Sequence, residues 1–314
     1  MRWLHKDAPA FSPNYSLMAA PSTILITGGS GFLAPNLAVA MAEAWPSADI
    51  YCLTEPGTTL PEVVADRRQI RTIEADLLSA RLPDSTRLVV HCAAIRDPAS
   101  PLLQQVNVEG TRLLADQAAA AGAGFIYAST QSVYGPANTM PASEMEMPIP
   151  DNEYGRAKLE GERMVAEAYD GALGNWVALR FARLYGAMHT SRYDGMLGRL
   201  LRAAKCGEIV TINGAGASII DFLHIRDACS AILAVCDALP HLSGPYNISS
   251  GDPISILALA QLVRKHRPNL RWQLDPARSE WRGLWLDITR VTATLPWTPQ
   301  VSIEEGIGEA VGAV

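Results

Sequence analysis

A tyrosine and a lysine four residues apart, Tyr154 and Lys158, form the pair with the clearest chemical meaning in this sequence. A free phenol titrates near pH ~10 and is a poor base at neutral pH. Residues four apart lie on the same face of a helix, so a lysine ammonium can favour the phenolate and bring the tyrosine towards a working pKa. The spacing therefore predicts a proton-transferring tyrosine that is assisted by Lys158.

A glycine-rich turn stands upstream, at residues 27–34 (TGGSGFLA). Gly28 permits a tight turn after a strand, and Gly31 lets backbone N–H groups approach a pyrophosphate at a helix N-terminus. A glycine motif alone is weak, but this one follows an apolar strand and opens a helix at the first strand–helix junction. It predicts a dinucleotide cofactor, which would accept a hydride while the tyrosine handles the proton.

The end of the second predicted strand, residues 53–56 (LTEP), bears on the choice between NAD and NADP. NAD sites usually place an acid here to bond the ribose hydroxyls, and Thr54 occupies the best position with Glu55 beside it. Here no arginine is present to bind a 2′-phosphate, which Glu55 would repel. The pattern favours NAD, although Glu55 is also consistent with an ordinary exposed turn residue.

Apolar strands alternate with helical stretches over the first part of the chain. The predicted strands are 23–27, 50–54, 70–74, 88–92, 125–129 and 176–181, and the predicted helices are 31–44, 102–121 and 153–169. This alternation predicts an α/β fold with a doubly wound parallel (Rossmann) sheet. Later helices near 194–205, 225–238 and 254–267 predict a smaller C-terminal α/β lobe. We therefore divide the chain into an irregular N-terminal arm (1–21), a dinucleotide-binding domain (22–185) and a mainly substrate-binding lobe (186–314).

The composition is that of a soluble enzyme and argues against several other classes of protein. The chain has 314 residues, of which 48% are hydrophobic, and its net charge of −6 comes without a basic block, so no nucleic-acid partner is expected. Its five cysteines are scattered without a CxxC pair, which predicts no metal site and a reducing compartment. Neither a signal-peptide core nor an apolar run of about 18 residues occurs, so we expect a cytoplasmic protein without a membrane segment.

Nine short segments, taken in order, resemble the extended short-chain dehydrogenase/reductases, specifically the NAD-dependent epimerase/dehydratase family. They are TGGSGFLA (27–34), EADL (74–77), HCAA (91–94), NVEGT (107–111), STQSVYG (129–135), YGRAK (154–158), LRFARLYG (179–186), DFLHIRD (221–227) and LPWTP (295–299). The resemblance covers roughly residues 22–314. It implies an NAD-dependent oxidoreductase of the epimerase type, and a homodimer that pairs helices 102–121 and 153–169 across a two-fold axis.

The resemblance also assigns roles to single positions. Thr130 matches the serine or threonine that bonds the substrate oxygen, so the catalytic set is Thr130, Tyr154 and Lys158, and Lys158 should also bond the nicotinamide ribose. Asn107 matches a residue that ties the active-site backbone together. With Glu55 from the argument above, the cofactor-binding residues are Gly28, Ser30, Gly31, Phe32, Leu33, Glu55, Asp76 at the adenine edge, Leu77, Ala93, Ala94, Asn107, Tyr154 and Lys158.

Three positions depart from the family's pattern and bear on the substrate. Residues 131–132 (QS) stand where the dehydratases carry Asp-Glu, which disfavours 4,6-dehydration of a sugar. Ile220 stands where nucleotide-sugar enzymes often carry an arginine for the diphosphate, and Arg183 stands where many members carry asparagine. We take Arg183, Arg96 and Arg278 as candidate substrate-binding residues, since a guanidinium can hold a phosphate or carboxylate, although each also fits a structural role.

Three functions remain open at this point. The first is an NAD-dependent epimerase for a nucleotide-linked sugar, in which a hydride leaves a carbinol carbon and returns to the opposite face. The second is an NAD(P)-dependent dehydrogenase or reductase of a small non-nucleotide alcohol or carbonyl, which Ile220 favours. The third is a catalytically silent dinucleotide-binding sensor, which the retention of Thr130, Tyr154 and Lys158 opposes. The sequence does not name the substrate, the carbon acted on or the stereochemistry.

Overall fold

The computed structural model describes residues 21–136, 139–171, 175–280 and 283–313. The predicted N-terminal arm lies outside these ranges except for Pro21. The elements up to residue 181 are β1 (Thr23–Thr27), α1 (Leu33–Ala44), β2 (Asp49–Thr54), α2 (Glu62–Ala65), β3 (Ile70–Glu74), β4 (Leu88–His91), a π-helical segment (Gln105–Gly110), α3 (Thr111–Ala120), β5 (Gly124–Thr130), a 3₁₀ turn (Gln131–Val133), α4 (Glu153–Ala168) and β6 (Trp176–Phe181).

From residue 183 onward the strands are shorter. The elements are β7 (Arg183–Ala187), β8 (Ser191–Arg192), α5 (Gly195–Cys206), β9 (Ile209–Asn213), β10 (Ile219–Ile220), β11 (Phe222–His224), α6 (Ile225–Ala238), a 3₁₀ turn (Leu239–His241), β12 (Pro245–Ile248), β13 (Ile254–Ser255), α7 (Ile256–His266), β14 (Arg271–Asp275), β15 (Gly283–Leu284), α8 (Thr289–Thr294) and α9 (Ile303–Ala313).

Seven parallel strands form the central sheet, in the order β12-β6-β5-β4-β1-β2-β3. The six strands predicted from the sequence are all present within one residue of their expected bounds, and the doubly wound α/β fold is confirmed. The seventh strand, β12, belongs to the later part of the chain and pairs with β6 at the edge of the sheet. The sequence did not indicate β12, because it has only four residues and contains a proline and an asparagine, which strands disfavour.

The central sheet is covered on both faces. Ile24 and Ile26 of β1 pack into one hydrophobic cluster, whereas Leu25 between them packs into another. All five residues of β1 are buried. Because successive side chains of a strand point to opposite faces, an unbroken apolar run is what a strand with helices on both sides requires.

The later part of the chain adds a second core and three small sheets. Leu197, Ile212, Leu259 and Ile307 are each fully buried in this cluster, which α5, β9, α7 and α9 assemble. The small sheets have the strand orders β13-β10-β15, β11-β7-β8 and β14-β9. This part is not separate from the first, since α6 packs against α1 and β12 completes the central sheet.

The predicted helix 102–121 differs from expectation in its geometry. Residues 105–110 are π-helical, and the regular helix α3 begins only at Thr111. The wider turn presents the Asn107 side chain to the backbone of Ile95, while the Thr111 hydroxyl donates to the Asn107 carbonyl at 2.7 Å. Hydrophobic periodicity predicts a helix here, but it does not show that the turns are wider than those of an α-helix. Such π-helical segments often occur at functional sites.

None of the helices within the described ranges combines the length and the apolar composition needed to cross a lipid bilayer.

Candidate active site

A cleft opens at the carboxyl ends of the central strands, where ligands bind in doubly wound sheets. The glycine turn after β1, the end of β5, the start of α4 and the segment after β6 line it. Thr130, Tyr154 and Lys158 all line this one cleft, so the structure brings the three predicted catalytic residues together. Within the described ranges, no group of three or more acidic, histidine or cysteine side chains is arranged to hold a metal ion.

Two local features place Thr130 and Tyr154. Thr130 is the last residue of β5, and its Oγ1 accepts a hydrogen bond from the Ser132 N–H at 3.2 Å. Tyr154 is the second residue of α4, whose N-terminus is capped by Asn152, because the Asn152 Oδ1 accepts from the Gly155 N–H at 2.8 Å. The cap fixes where α4 begins and thereby where its tyrosine lies against the strand end.

Lys158 is held deep in the protein beneath the cleft. It is only 2% exposed, and its Nζ lies 4.3 Å from the centre of the Tyr127 ring. Burial lowers the pKa of Lys158 to about 8, while the Cys92 thiol and the Glu162 carboxyl oppose that shift. A lysine with such a pKa is mostly protonated at neutral pH but loses its charge in mildly alkaline solution.

The pKa of Tyr154 moves in the direction opposite to the one predicted from the sequence. Burial raises the pKa of this phenol, and the cation that counteracts the rise is Arg96. The predicted lowering is therefore wrong, because loss of solvent outweighs the attraction of nearby cations, and the Lys158 ammonium lies against the Tyr127 ring. With its pKa raised above that of a free phenol, Tyr154 is protonated at neutral pH.

The glycine turn has the geometry that a bound pyrophosphate requires. Gly28 adopts a φ of +76°, and a Cβ atom on it would lie 2.9 Å from the backbone nitrogen of Ala93, two residues after β4. A Cβ on Gly31 would lie 3.0 Å from the Gly28 carbonyl oxygen. Gly28, Gly31, Phe32 and Leu33, the first residue of α1, line the cleft, and the first turn of a helix has backbone N–H groups without intrahelical partners. These residues fit a dinucleotide. Ser30 is exposed on the same turn.

The other predicted cofactor residues lie around the ends of β2, β3 and β4. Glu55 is exposed in the turn after β2, and Asp76 is exposed with its Oδ1 accepting from the Leu78 N–H at 2.8 Å. Leu77 is buried against Gly110 of the π-helical segment. Both acids are thus exposed, and neither is among the residues that line the cleft described above.

The backbone that follows β4 is fixed by Asn107. The Asn107 Oδ1 accepts from the Ile95 N–H and its Nδ2 donates to the Ile95 carbonyl, each at 2.8 Å. The tie between Asn107 and the active-site backbone is therefore present. Ala93 and Ala94 are half-buried immediately before Ile95, and Ala94 lines the cleft.

Arginines surround the outer part of the cleft. Arg96, Arg183 and Arg192 line it together with Asp194. One oxygen of Asp194, Oδ2, accepts from Arg96 Nη1 at 3.1 Å and from Arg192 Nε at 2.5 Å. The Arg183 guanidinium, in contrast, makes no hydrogen bond or ion pair within the part of the chain that the structure describes. Burial and the neighbouring charge of Arg96 lower the pKa of Arg183.

Arg278 is not brought to the cleft. It follows β14, its side chain is 65% exposed, and its Nε pairs with Asp275 at 3.0 Å. Ile220 is 7% exposed and belongs to the second core, so its side chain offers nothing to a phosphate. Of the three arginines predicted to bind substrate, the structure places Arg96 and Arg183 at one cleft and Arg278 elsewhere.

Sequence reasoning missed Arg192 and Asp194. Their only signal is that they follow the Tyr185-Gly186 turn, in a region where substrate loops are common. The contact between Asp194 and Arg96 joins positions 98 residues apart, which no local pattern can predict. The segment is anchored by the Asn36 side chain of α1, whose Oδ1 accepts from the His189 N–H at 2.7 Å.

Comparison with known proteins places this geometry in context. A family model described as the NAD dependent epimerase/dehydratase family matches residues 24–249. The chain is 28% identical over 255 residues to the uncharacterized protein y4nG of Sinorhizobium fredii, which covers 78% of this chain and 60% of that protein. It is 25% identical over 340 aligned positions to a dTDP-L-rhamnose 4-epimerase of Burkholderia thailandensis, which covers 91% of this chain and 93% of that enzyme.

Solved structures extend the comparison beyond sequence. The structure of MoeE5 in complex with UDP-glucuronic acid and NAD is similar to this one with a TM-score of 0.79. The two chains are 27% identical, and the match covers 92% of this chain and 98% of MoeE5. The similarity thus includes most of the later part of this chain as well as its central sheet.

Proposed function

The chain belongs to the NAD dependent epimerase/dehydratase family, and we propose that it is an NAD-dependent nucleotide-sugar oxidoreductase of the epimerase type. The observation that carries the proposal is the convergence of Thr130, Tyr154 and Lys158 on the cleft that the glycine turn also lines. Proton-transfer groups and a pyrophosphate cradle at one strand edge are what hydride transfer from a carbinol needs.

The chain's own residues would divide the work at one substrate oxygen. The Thr130 hydroxyl would hold the oxygen of the reacting carbinol, and the Tyr154 phenol would take or return its proton. Lys158, protonated below about pH 8, would add positive charge beneath the phenol and bond the nicotinamide ribose. NAD, when bound, supplies the ring carbon that accepts the hydride and can give it back.

NAD is the proposed cofactor for two reasons. The glycine turn admits a pyrophosphate, because Gly28 and Gly31 have no space for side chains. Glu55 stands in the turn after β2, where it would face the 2′-phosphate of NADP but accept a bond from a ribose hydroxyl. MoeE5, which shares this fold, has been solved with NAD.

The proposed handle on the substrate is a diphosphate bound by Arg183. An unpaired guanidinium with little solvent is costly, and a phosphate in the cleft would supply its missing partner. Arg96 and Arg192 lie beside it but already share Asp194. Net positive charge in the cleft therefore matches an anionic substrate.

A second candidate is a dehydrogenase or reductase of a small non-nucleotide alcohol or carbonyl. Two observations favour it. The position where related enzymes carry an arginine for the diphosphate holds the buried Ile220, and Arg278 lies away from the cleft. A silent sensor is the weakest candidate, since a sensor does not need the three proton-transfer residues at the cofactor site.

One experiment separates these candidates. The purified protein is denatured and the released small molecules are identified by mass spectrometry. The proposal expects NAD and, where a ligand co-purifies, a nucleoside diphosphate sugar. Release of NADP, or of a small non-nucleotide acid or carbonyl compound, would favour the second candidate.

We also propose a cytoplasmic homodimer. The π-helical segment and α3 pack against α4, and Leu78, Val108 and Leu113 lie on the outer side of this helix pair. A two-fold contact would bury that surface as a four-helix interface. The proposed location rests on the scattered cysteines, which are free thiols in the structure. Light scattering that gives a monomer mass at micromolar concentration would contradict the dimer.

The division into a dinucleotide-binding part (22–185) and a mainly substrate-binding part (186–314) is likewise a proposal. The separate core of the later part, around Leu197 and Ile307, supports it. The two parts share contacts, since β12 joins the central sheet and α6 packs against α1.

A further inference from the structure

A group of buried polar side chains lies beneath the cleft, and the proposed chemistry does not use it. Its centre is an ion pair between Arg180 of β6 and Glu162 of α4, whose side chains are 4% and 8% exposed. Arg180 Nη2 donates to Glu162 Oε2 at 2.6 Å, and Arg180 Nε donates to Glu162 Oε1 at 3.0 Å. Because desolvation offsets most of the attraction in such a pair, stability alone does not explain it.

The pair holds both ends of one short turn. The Ser129 hydroxyl donates to Glu162 Oε1 at 2.5 Å, and Arg180 Nη1 donates to the Tyr134 hydroxyl at 3.0 Å. Ser129 directly precedes Thr130, and Tyr134 directly follows the 3₁₀ turn that presents residues 130–132 to the cleft. The end of β5 and the end of the 3₁₀ turn are thus hydrogen-bonded to the two members of one ion pair.

The same pair is attached to the helix of the other two catalytic residues. Glu162 lies one helical turn after Lys158 on α4, and its carboxyl raises the pKa of Lys158 against the effect of burial. The other titratable groups that interact with Lys158 are the Cys92 thiol and the His91 imidazole, both at the end of β4. Cys92 makes the larger of the two contributions that raise the pKa of Lys158, and Glu162 is the carboxylate that acts on the ammonium.

Beyond the turn, the network reaches the later part of the chain. The Tyr134 hydroxyl donates to Asn247 Oδ1 of β12 at 2.7 Å. The Asn247 Nδ2 donates to the carbonyl oxygens of Ala142 and Asp287, at 2.9 and 3.0 Å. The ion pair thus sits where the central sheet, the loop ahead of α4 and a late segment meet.

We infer that Glu162 and Arg180 are positioning residues, which hold the turn 129–134 in register with α4 and supply the counter-charge of Lys158. This inference rests on the proposed roles of Thr130, Tyr154 and Lys158. It assigns a function to an ion pair that touches neither substrate nor cofactor.

The electrostatic half of the inference is tested by titrating Lys158 directly. The chain contains only four lysines, Lys6, Lys158, Lys205 and Lys265, so a protein labelled with ¹³C-lysine gives few side-chain signals. The Lys158 signal is the one lost in Lys158→Arg. Its midpoint is expected at about pH 8 in the unaltered protein. In Glu162→Gln the midpoint should fall by about one pH unit or more, because removal of a nearby opposite charge disfavours the ammonium.

Controls separate this effect from general damage. Glu160→Gln removes an exposed carboxylate on the same helix, where it pairs with Arg163, and should leave the midpoint unchanged. Glu162→Gln alone leaves Arg180 buried without its partner and can fail to fold. The double variant Glu162→Gln/Arg180→Met removes both charges and should also show a lowered midpoint, by less than Glu162→Gln, because loss of the Arg180 cation offsets part of the loss of the carboxylate. An unchanged midpoint in either folded variant would overturn the electrostatic role.

The other part of the inference, that the ion pair holds the turn 129–134 in place, is tested by hydrogen exchange. Arg180→Met removes the hydrogen bond to Tyr134, so amides in 129–134 should exchange faster, while those of β2, which is separated from β6 by three other strands of the central sheet, should not. Equally faster amide exchange in both regions, or unchanged exchange in 129–134, would overturn the positioning role. Neither measurement needs turnover. If the titration and exchange results contradict the inference, the proposed reaction is unaffected. If they agree with it but the protein has no activity, only the proposed reaction is contradicted.

Discussion

The proton-transfer end of the cleft and its outer mouth are built in different ways. At the inner end Lys158 is 2% exposed, and a buried ion pair holds the surrounding elements. At the mouth the side chains of Arg96, Asp194 and Arg192 are 52%, 43% and 33% exposed, and a single carboxylate oxygen joins the two arginines. The inner end is closely packed, whereas the exposed ion pairs at the mouth can exchange partners at small cost.

The two regions also differ in how charge is treated. Burial at the inner end lowers the pKa of Lys158 to about 8 and raises that of Tyr154, so that solvent exclusion sets the proton affinities. At the mouth, charges act on one another, and Arg183 is the member without a partner among the described residues. Solvent exclusion thus dominates the electrostatics of the inner end, whereas pairing between charged side chains dominates at the mouth.

The largest effect is expected at the inner end, in Tyr154→Phe. Loss of the phenol oxygen removes the proton-transferring group, so turnover of a UDP- or dTDP-hexose should fall by about two to four orders of magnitude. Calorimetry should show NAD binding within a few-fold of the unaltered protein, because the ring is retained. Undiminished turnover would remove Tyr154 from the mechanism.

The inner end also predicts a pH dependence. The pKa of Lys158 is lowered from 10.5 to about 8, so its ammonium is present below about pH 8 and is lost above it. Turnover should therefore fall with rising pH above about 8, by up to about tenfold per pH unit. The rate is to be measured between pH 6 and about 10 in the unaltered protein and in Lys158→Arg, which keeps its charge. The alkaline fall should be absent from Lys158→Arg, and a fall of equal steepness in both proteins would assign it to another group.

The same contrast explains what the sequence could predict. Tyr154, Lys158 and the glycine turn lie in short motifs with fixed backbone geometry, so their placement at one cleft follows from strand order alone. The contact between Arg96 and Asp194 joins two exposed segments, and the direction of the Tyr154 pKa shift depends on burial by the whole fold. The position of an element can be predicted from local sequence, whereas side-chain pairing and burial depend on residues far apart in the sequence.

At the mouth, Arg183→Ala tests the substrate handle. Hydrogen bonds to charged groups contribute about 1.5–3 kcal/mol, so UDP should bind ~10–150-fold more weakly while NAD affinity stays unchanged. Arg278→Ala is the matched control, because that side chain is exposed and paired with Asp275. Calorimetry with UDP measures both variants. Equal UDP affinity in all three proteins would favour the non-nucleotide substrate and would show that the free guanidinium serves another anion.

The smallest effect is expected at the exposed edge beyond β2, where Glu55 bears on the choice of cofactor. Charges at exposed sites interact weakly, so Glu55→Gln should improve NADP binding by no more than about fivefold and leave NAD affinity nearly unchanged. Glu62→Gln changes a neighbouring exposed acid on α2 and should alter neither. Titration of both cofactors at low and at high salt decides the cause, since screening should erase a purely electrostatic difference. A preference for NADP in the unaltered protein would show that Glu55 does not face the ribose. It would also extend the contrast drawn above, because cofactor choice would then depend, like substrate choice, on long-range pairing that the strand-end motif does not contain.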